Sequence, residues 1–120
     1  MSNEQSPILN LPLPALIDLG IEHWRLCGWL AAAGQQTDCA LARHALRRME
    51  DFFRKCELEI RSLNGQPFDA GLAARVVEAI DDPELTAGKV VVEETLSPLV
   101  LWRGNVVRPA DIVTRRGTQK

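Results

Sequence analysis

Apolar positions change their spacing twice along this chain. From Ala15 to Ala33 they fall at Leu16, Ile17, Leu19, Ile21, Trp24, Leu26, Cys27, Trp29 and Leu30. Turned at about 100° per residue, this predicts a helix with Trp24 and Trp29 about 140° apart. Both tryptophans cannot face one neighbour, so the helix needs cover on more than one side. Leu11-Pro12-Leu13-Pro14 sets up its start, Gly34-Gln35-Gln36 its end, and Gly28 leaves room for close helix approach. Thr37 or Asp38 then caps a second helix, predicted from Cys39 to about Leu63. Its apolar residues Ala42, Leu46, Met49, Phe53, Cys56, Ile60 and Leu63 alternate in steps of four and three, a heptad seam. On the opposite face Glu50–Arg54, Asp51–Lys55 and Glu57–Arg61 place each acid four residues before its base, the favourable order.

Beyond Gly65 the runs shorten. Lys89 to Glu94 and Leu99 to Val113 are rich in Val and Leu and interrupted by Pro or Gly, the pattern of short strands joined by tight turns. Asp81-Asp82 reads as a solvated turn. The fold class is therefore α+β: a polar tail over 1–10, a helical hairpin over 11–64 and a small all-β domain over 65–120. A hairpin alone exposes too much apolar surface. Two copies forming a dimeric four-helix bundle through Trp24, Leu46, Met49, Phe53, Cys56, Ile60 and Leu63 would bury it. The alternative packs both faces inside one protomer, under the β unit.

Composition narrows the function. A formal net charge of -2 gives no global reason to expect nucleic acid as partner. No apolar run is long enough to span a bilayer, and the first residues lack the charged and apolar regions of a secretory signal, so a cytoplasmic protein is expected. Cys27, Cys39 and Cys56 show no C-x-x-C spacing and no ligand spacing to His23 or His44, which favours small buried hydrophobes over a metal site. Neither a nucleophile elbow nor a phosphate loop is present, and Glu93 and Glu94 should point to opposite faces of a strand. The chain reads as a non-enzyme without cofactors, and as a binding protein. Arg103, Arg108, Arg115 and Arg116 make its end locally basic, either as surface charge or to address acidic groups on a partner.

Four pieces occur in a telling order: Gly65-Gln66-Pro67-Phe68-Asp69, an acidic turn ending in Gly88, the valine strand from Lys89, and Gly104-Asn105-Val106-Val107-Arg108-Pro109-Ala110. Together with Leu13-Pro14-Ala15-Leu16-Ile17-Asp18, they resemble the GrpE family, nucleotide exchange factors of DnaK-type chaperones, from about Leu11 to Arg116. The resemblance implies a homodimeric helical bundle carrying β heads. A head docks on the chaperone's nucleotide-binding domain and promotes ADP release. It also implies contacts from Leu96, Arg108 and Thr114, with Asn105 standing where the family has a contact arginine. Asparagine loses the two-pronged grip on a carboxylate, and Arg103, two residues earlier, is the candidate to replace it. The family's long helical stalk is not expected, since about ten residues precede the first helix. Ser97-Pro98-Leu99 replaces the usual Lys-Gly-Tyr turn. The second expectation is a dimeric adaptor that docks without accelerating release.

Overall fold

Two helices lead into two three-stranded sheets in the computed structural model, which describes Pro7, residues 9–33 and residues 39–119. Most of the expected tail, the end of the first helix and the Thr37/Asp38 cap lie outside the described residues. Helix α1 spans Leu13–Ala33 and α2 spans Ala40–Lys55. Strands β1 (Leu58–Arg61), β2 (Ala74–Thr86), β3 (Val90–Ser97), β4 (Leu99–Trp102), β5 (Asn105–Arg108) and β6 (Ala110–Gln119) follow. One sheet has the order β1-β4-β5 and the other β2-β6-β3, with β2 parallel to β6 and the remaining pairs antiparallel.

Helix α1 buries Leu16, Ile17, Gly20, Ile21 and His23, a stripe set by the helical period. The stripe lies on β1. A Cβ on Gly20 would sit 3.0 Å from Leu58 Cδ2 and 3.1 Å from Ile60 Cδ1, so Gly20 is the glycine that lets helix and strand approach. Gly28, expected to leave room for close approach of the helices, has open space around its Cβ position.

The second helix is shorter than expected. It stops at Lys55, where Cys56 N–H donates to the Phe52 and Phe53 carbonyls and Glu57 N–H to that of Arg54. Leu58-Glu59-Ile60-Arg61 then alternates apolar and polar, and this short period prevails because β1 can pair with β4, Leu58 opposite Trp102. The heptad seam is thus broken at Cys56. Ile60 lies on β1, and Leu63 is buried in the β region. The Glu57–Arg61 helical pair does not form: Glu57 bonds Arg103, and Arg61 bonds Glu59. The first strand also falls inside the range assigned to the hairpin.

Strand β4 divides the interior. Val100 and Trp102 face the core made by Leu16, Ile17, Ile21, Phe53 and Leu58, while Leu99 and Leu101 face Leu63, Val92, Ala110 and Ile112. Successive side chains on a strand point to opposite faces, so four residues join two cores. The Leu63 N–H donates to Thr95 Oγ1 at 2.9 Å, and that hydroxyl donates to Asn64 Oδ1 at 2.6 Å. The alternative in which the β unit covers the helices is met on the first half of α1. Trp29 stays 65% exposed.

Asp81 and Asp82 are not a turn. They lie on β2, opposite Arg116 and Gly117 of β6, and the pairing breaks between Asp82 and Thr86, around Pro83, which has no N–H to give. An extra residue at Glu93 shifts the β3–β6 register between Val92 and Glu94. This interrupts the simple alternation expected at Glu93-Glu94. Among the described residues, no helix is long and apolar enough to cross a membrane.

Candidate functional site

A two-residue turn joins β4 to β5. Arg103 (φ 52°) and Gly104 (φ 80°) form its two central positions, and Trp102 pairs with Asn105 across it. Positive φ at both positions is what a two-residue hairpin turn requires. The Arg103 guanidinium lies 4.4 Å from the Trp102 ring centre, and its Nε donates to Glu57 Oε2 at 3.0 Å. The Asn105 amide turns back to the Arg103 carbonyl at 3.5 Å, a marginal contact. Trp102 Nε1–H donates to the Cys56 carbonyl at 3.1 Å, tying the turn to the end of α2.

Of the five residues expected to meet a partner, Arg103 and Asn105 share this exposed turn. Arg108, at the far end of β5, lies 3.5 Å from Asp18 of α1, a marginal contact between exposed side chains. Leu96 is exposed on β3, in the other sheet, at the rim of a groove of about 600 Å³ shared with Trp24, Ser62 and Asn64. Trp24 Nε1–H donates to Ser62 Oγ at 2.8 Å across that groove. Thr114 is 2% exposed at the centre of β6, so it supports the head from inside and meets no partner. Its side chain shares the face of Ala110 and Ile112, which is turned into the core, while Asp111, Val113 and Arg115 point the other way.

The basic end is internally neutralised. Arg115 bonds Asp82 at 2.6 Å and has Glu93 beside its Nε without the angle of a hydrogen bond. Arg116 bonds Asp81 at 2.7 Å, and Arg75 bonds Asp111 at 2.9 Å. Sequence spacing could not reveal these pairs, because Asp81 and Asp82 read as a turn rather than as a strand beside β6.

A second surface lies on the hairpin. Leu19 and Leu26 of α1 and Met49 and Phe52 of α2 are all exposed and line an apolar groove of about 340 Å³. Met49 belongs to the expected dimer seam, whereas Leu19, Leu26 and Phe52 were missed. Their signal was the seven-residue step from Leu19 to Leu26 and the three-residue step from Met49 to Phe52. Phe53, by contrast, is buried within the protomer, edge-on to His23 with centroids 5.3 Å apart. Leu46, Cys56, Ile60 and Trp24 are half-buried. Two members of the expected seam, Phe53 and Leu63, are therefore spent inside one chain.

His23 Nε2 lies 2.7 Å from the Leu46 carbonyl, which can only accept, so Nε2 carries the hydrogen. Cys27 Sγ lies 3.7 Å from that nitrogen. Burial, and then the negative charge of Glu50, push the Cys27 thiol above its ordinary value, the opposite of an activated nucleophile. No group of three or more metal-ligating side chains occurs among the described residues. No family model matches the chain, and no curated protein matches it.

Proposed function

We propose that this chain is a GrpE-like co-chaperone of divergent sequence, which docks its β head on the nucleotide-binding domain of a DnaK-type chaperone and promotes ADP release. The observation that carries the reading is the exposed Trp102-Arg103-Gly104-Asn105 turn, which presents a guanidinium where the resemblance calls for a cationic contact. Leu96 supplies an apolar contact from the neighbouring sheet. Arg103 and Glu57 are both largely exposed, and such a pair is worth about 0.2–1 kcal/mol. A partner carboxylate can displace Glu57 at that cost.

The head acts by binding the open nucleotide cleft better than the closed one. Each tenfold loss of ADP affinity needs about 1.4 kcal/mol of that preference. Coupling is reciprocal, so ADP weakens the complex by the same factor. Two copies pair through the apolar groove formed by Leu19, Leu26, Met49 and Phe52, completing a four-helix bundle in the cytoplasm. This replaces the seam through Phe53 and Leu63.

The second reading, a dimeric adaptor that docks without accelerating release, is favoured by Asn105 in the place of the contact arginine. Release of a labelled ADP from the DnaK-type chaperone of the same organism separates the two. Acceleration supports exchange, binding without acceleration supports the adaptor, and no binding removes both.

A further inference from the structure

Among the described residues, Glu57 (φ 63°) and Arg103 (φ 52°) are the two non-glycine residues with positive φ. Each occupies a position that ordinarily takes glycine or asparagine. Glu57 ends a helix in the left-handed conformation, and Arg103 opens a two-residue hairpin turn. They are bonded to each other. The Arg103 N–H donates to the Glu57 carbonyl at 3.0 Å, and its Nε to the Glu57 carboxylate at 3.0 Å. This is the rung of the β1–β4 ladder just beyond Leu58 and Trp102. Strained backbone of this kind persists where surrounding contacts hold it, and it concentrates at clamps and switches.

The place of the rung matters. Cys56 and Glu57 are the whole connection between α2 and β1, so whatever fixes Glu57 fixes the joint between hairpin and head. Trp102 holds the preceding residue, Cys56, through its indole N–H. Glu57 itself is held by backbone hydrogen bonds to Arg54 and Arg103 and by the Arg103 guanidinium above Trp102, and of these holds the guanidinium is the largely exposed one, as is its carboxylate partner.

We propose that the Glu57–Arg103 pair is a releasable clamp: Glu57 occupies the guanidinium that a docking partner's carboxylate takes, and the exchange of one carboxylate for the other loosens the joint between hairpin and head. The partner's part in this rests on the docking reading above; the clamp's hold on the joint does not. Docking at the tip of the head is thereby felt at the end of α2.

Two measurements on the full chain test it. In the first, amide hydrogen exchange is followed in the unbound protein for the wild type, Glu57→Gln and Arg103→Gln. Both variants should exchange faster at Arg103 and along Leu58–Arg61 while β6 is unchanged; unaltered exchange at those amides overturns the clamp. Glu57→Gly, which relieves the positive φ, should fold at least as well as the wild type and still show the faster exchange. In the second, binding to the nucleotide-free nucleotide-binding domain of the DnaK-type chaperone is titrated. Glu57→Gln should bind about two- to fivefold tighter, as release of one exposed ion pair allows. Arg103→Gln should bind more weakly and cancel that gain. Wild-type binding that Glu57→Gln leaves equal or weakens overturns the exchange of carboxylates. No wild-type binding at all defeats the docking reading instead, and the exchange measurement then decides the clamp alone.

Discussion

Helix α2 and strand β6 solve opposite problems. The helix is sixteen residues long and buries one side chain, Phe53, while Leu41, Met49 and Phe52 face outward. The strand is ten residues long and buries Ala110, Ile112, Thr114 and Gly117 between two neighbours. Its arginines are answered from inside the chain, Arg115 by Asp82 and Arg116 by Asp81. Strand β6 is covered on both edges within one protomer, whereas α2 leaves Leu41, Met49 and Phe52 uncovered. An apolar helical face left this bare is the expected mark of an interface, whereas the head needs no second chain to close its core.

The contrast is weakest at Phe53, the one point where α2 is packed as fully as β6. Phe53→Ala should cost about 3–5 kcal/mol, the range for emptying a buried aromatic site. It removes the contact of α2 with Leu16, Ile17, Ile21 and Leu58. Chemical denaturation would measure it. A loss near that of a surface substitution would mean that the hairpin hardly packs on β1 at all.

Next in size is Gly117→Ala in β6. An added Cβ would lie 1.9 Å from the Thr86 carbonyl oxygen, which is backbone and cannot swing aside. Crowding of this kind costs typically about 1–3 kcal/mol. The shift should loosen the far end of the β2–β6 pairing, where Ala87 N–H donates to the Gln119 carbonyl at 2.7 Å. Faster hydrogen exchange confined to that end would mark β6 as the closed element; a neutral substitution would show that β2 does not sit against it. Thr95→Val is milder, at about 1–2 kcal/mol, because it leaves the buried Leu63 N–H without its acceptor. The readout is the same denaturation midpoint, and no change would mean the amide finds water.

These positions show what the sequence could and could not reveal. The first helix was legible because its apolar period persists for twenty-one residues, and the valine strands because Pro and Gly delimit them. The end of α2 was not legible. Cys56, Ile60 and Leu63 continue the heptad spacing by coincidence, and the competing alternation in Leu58-Glu59-Ile60-Arg61 covers only four residues. What decides between the two periods is β4, some forty residues away, and no local pattern contains it. Thr114 was assigned through the resemblance alone, and no local pattern says that the face it shares with Ala110 and Ile112 is the one turned into the core. The pairing of Glu57 with Arg103, separated by 46 positions, was beyond any spacing argument.

The smallest effect on the fold should accompany the largest effect on assembly. Met49 and Phe52 are exposed within the protomer, so Met49→Asp should change its stability by no more than about 0.5 kcal/mol, and Phe52→Asp by somewhat more, since its ring meets Phe53 edge-on with centroids 5.5 Å apart. If the open face of the hairpin is where two copies meet, the same substitution buries an uncompensated charge in their interface and drives the dimer apart. Mass in solution, by light scattering at several concentrations, should fall to that of one chain while the denaturation midpoint of the Met49→Asp monomer stays put. Phe53→Asp cannot make this distinction, since it would damage the protomer and the dimer together. A wild-type mass of one chain, or a dimer indifferent to both Met49→Asp and Phe52→Asp, would mean that α2 keeps its bare face for some other purpose, and its contrast with β6 would no longer point to self-association.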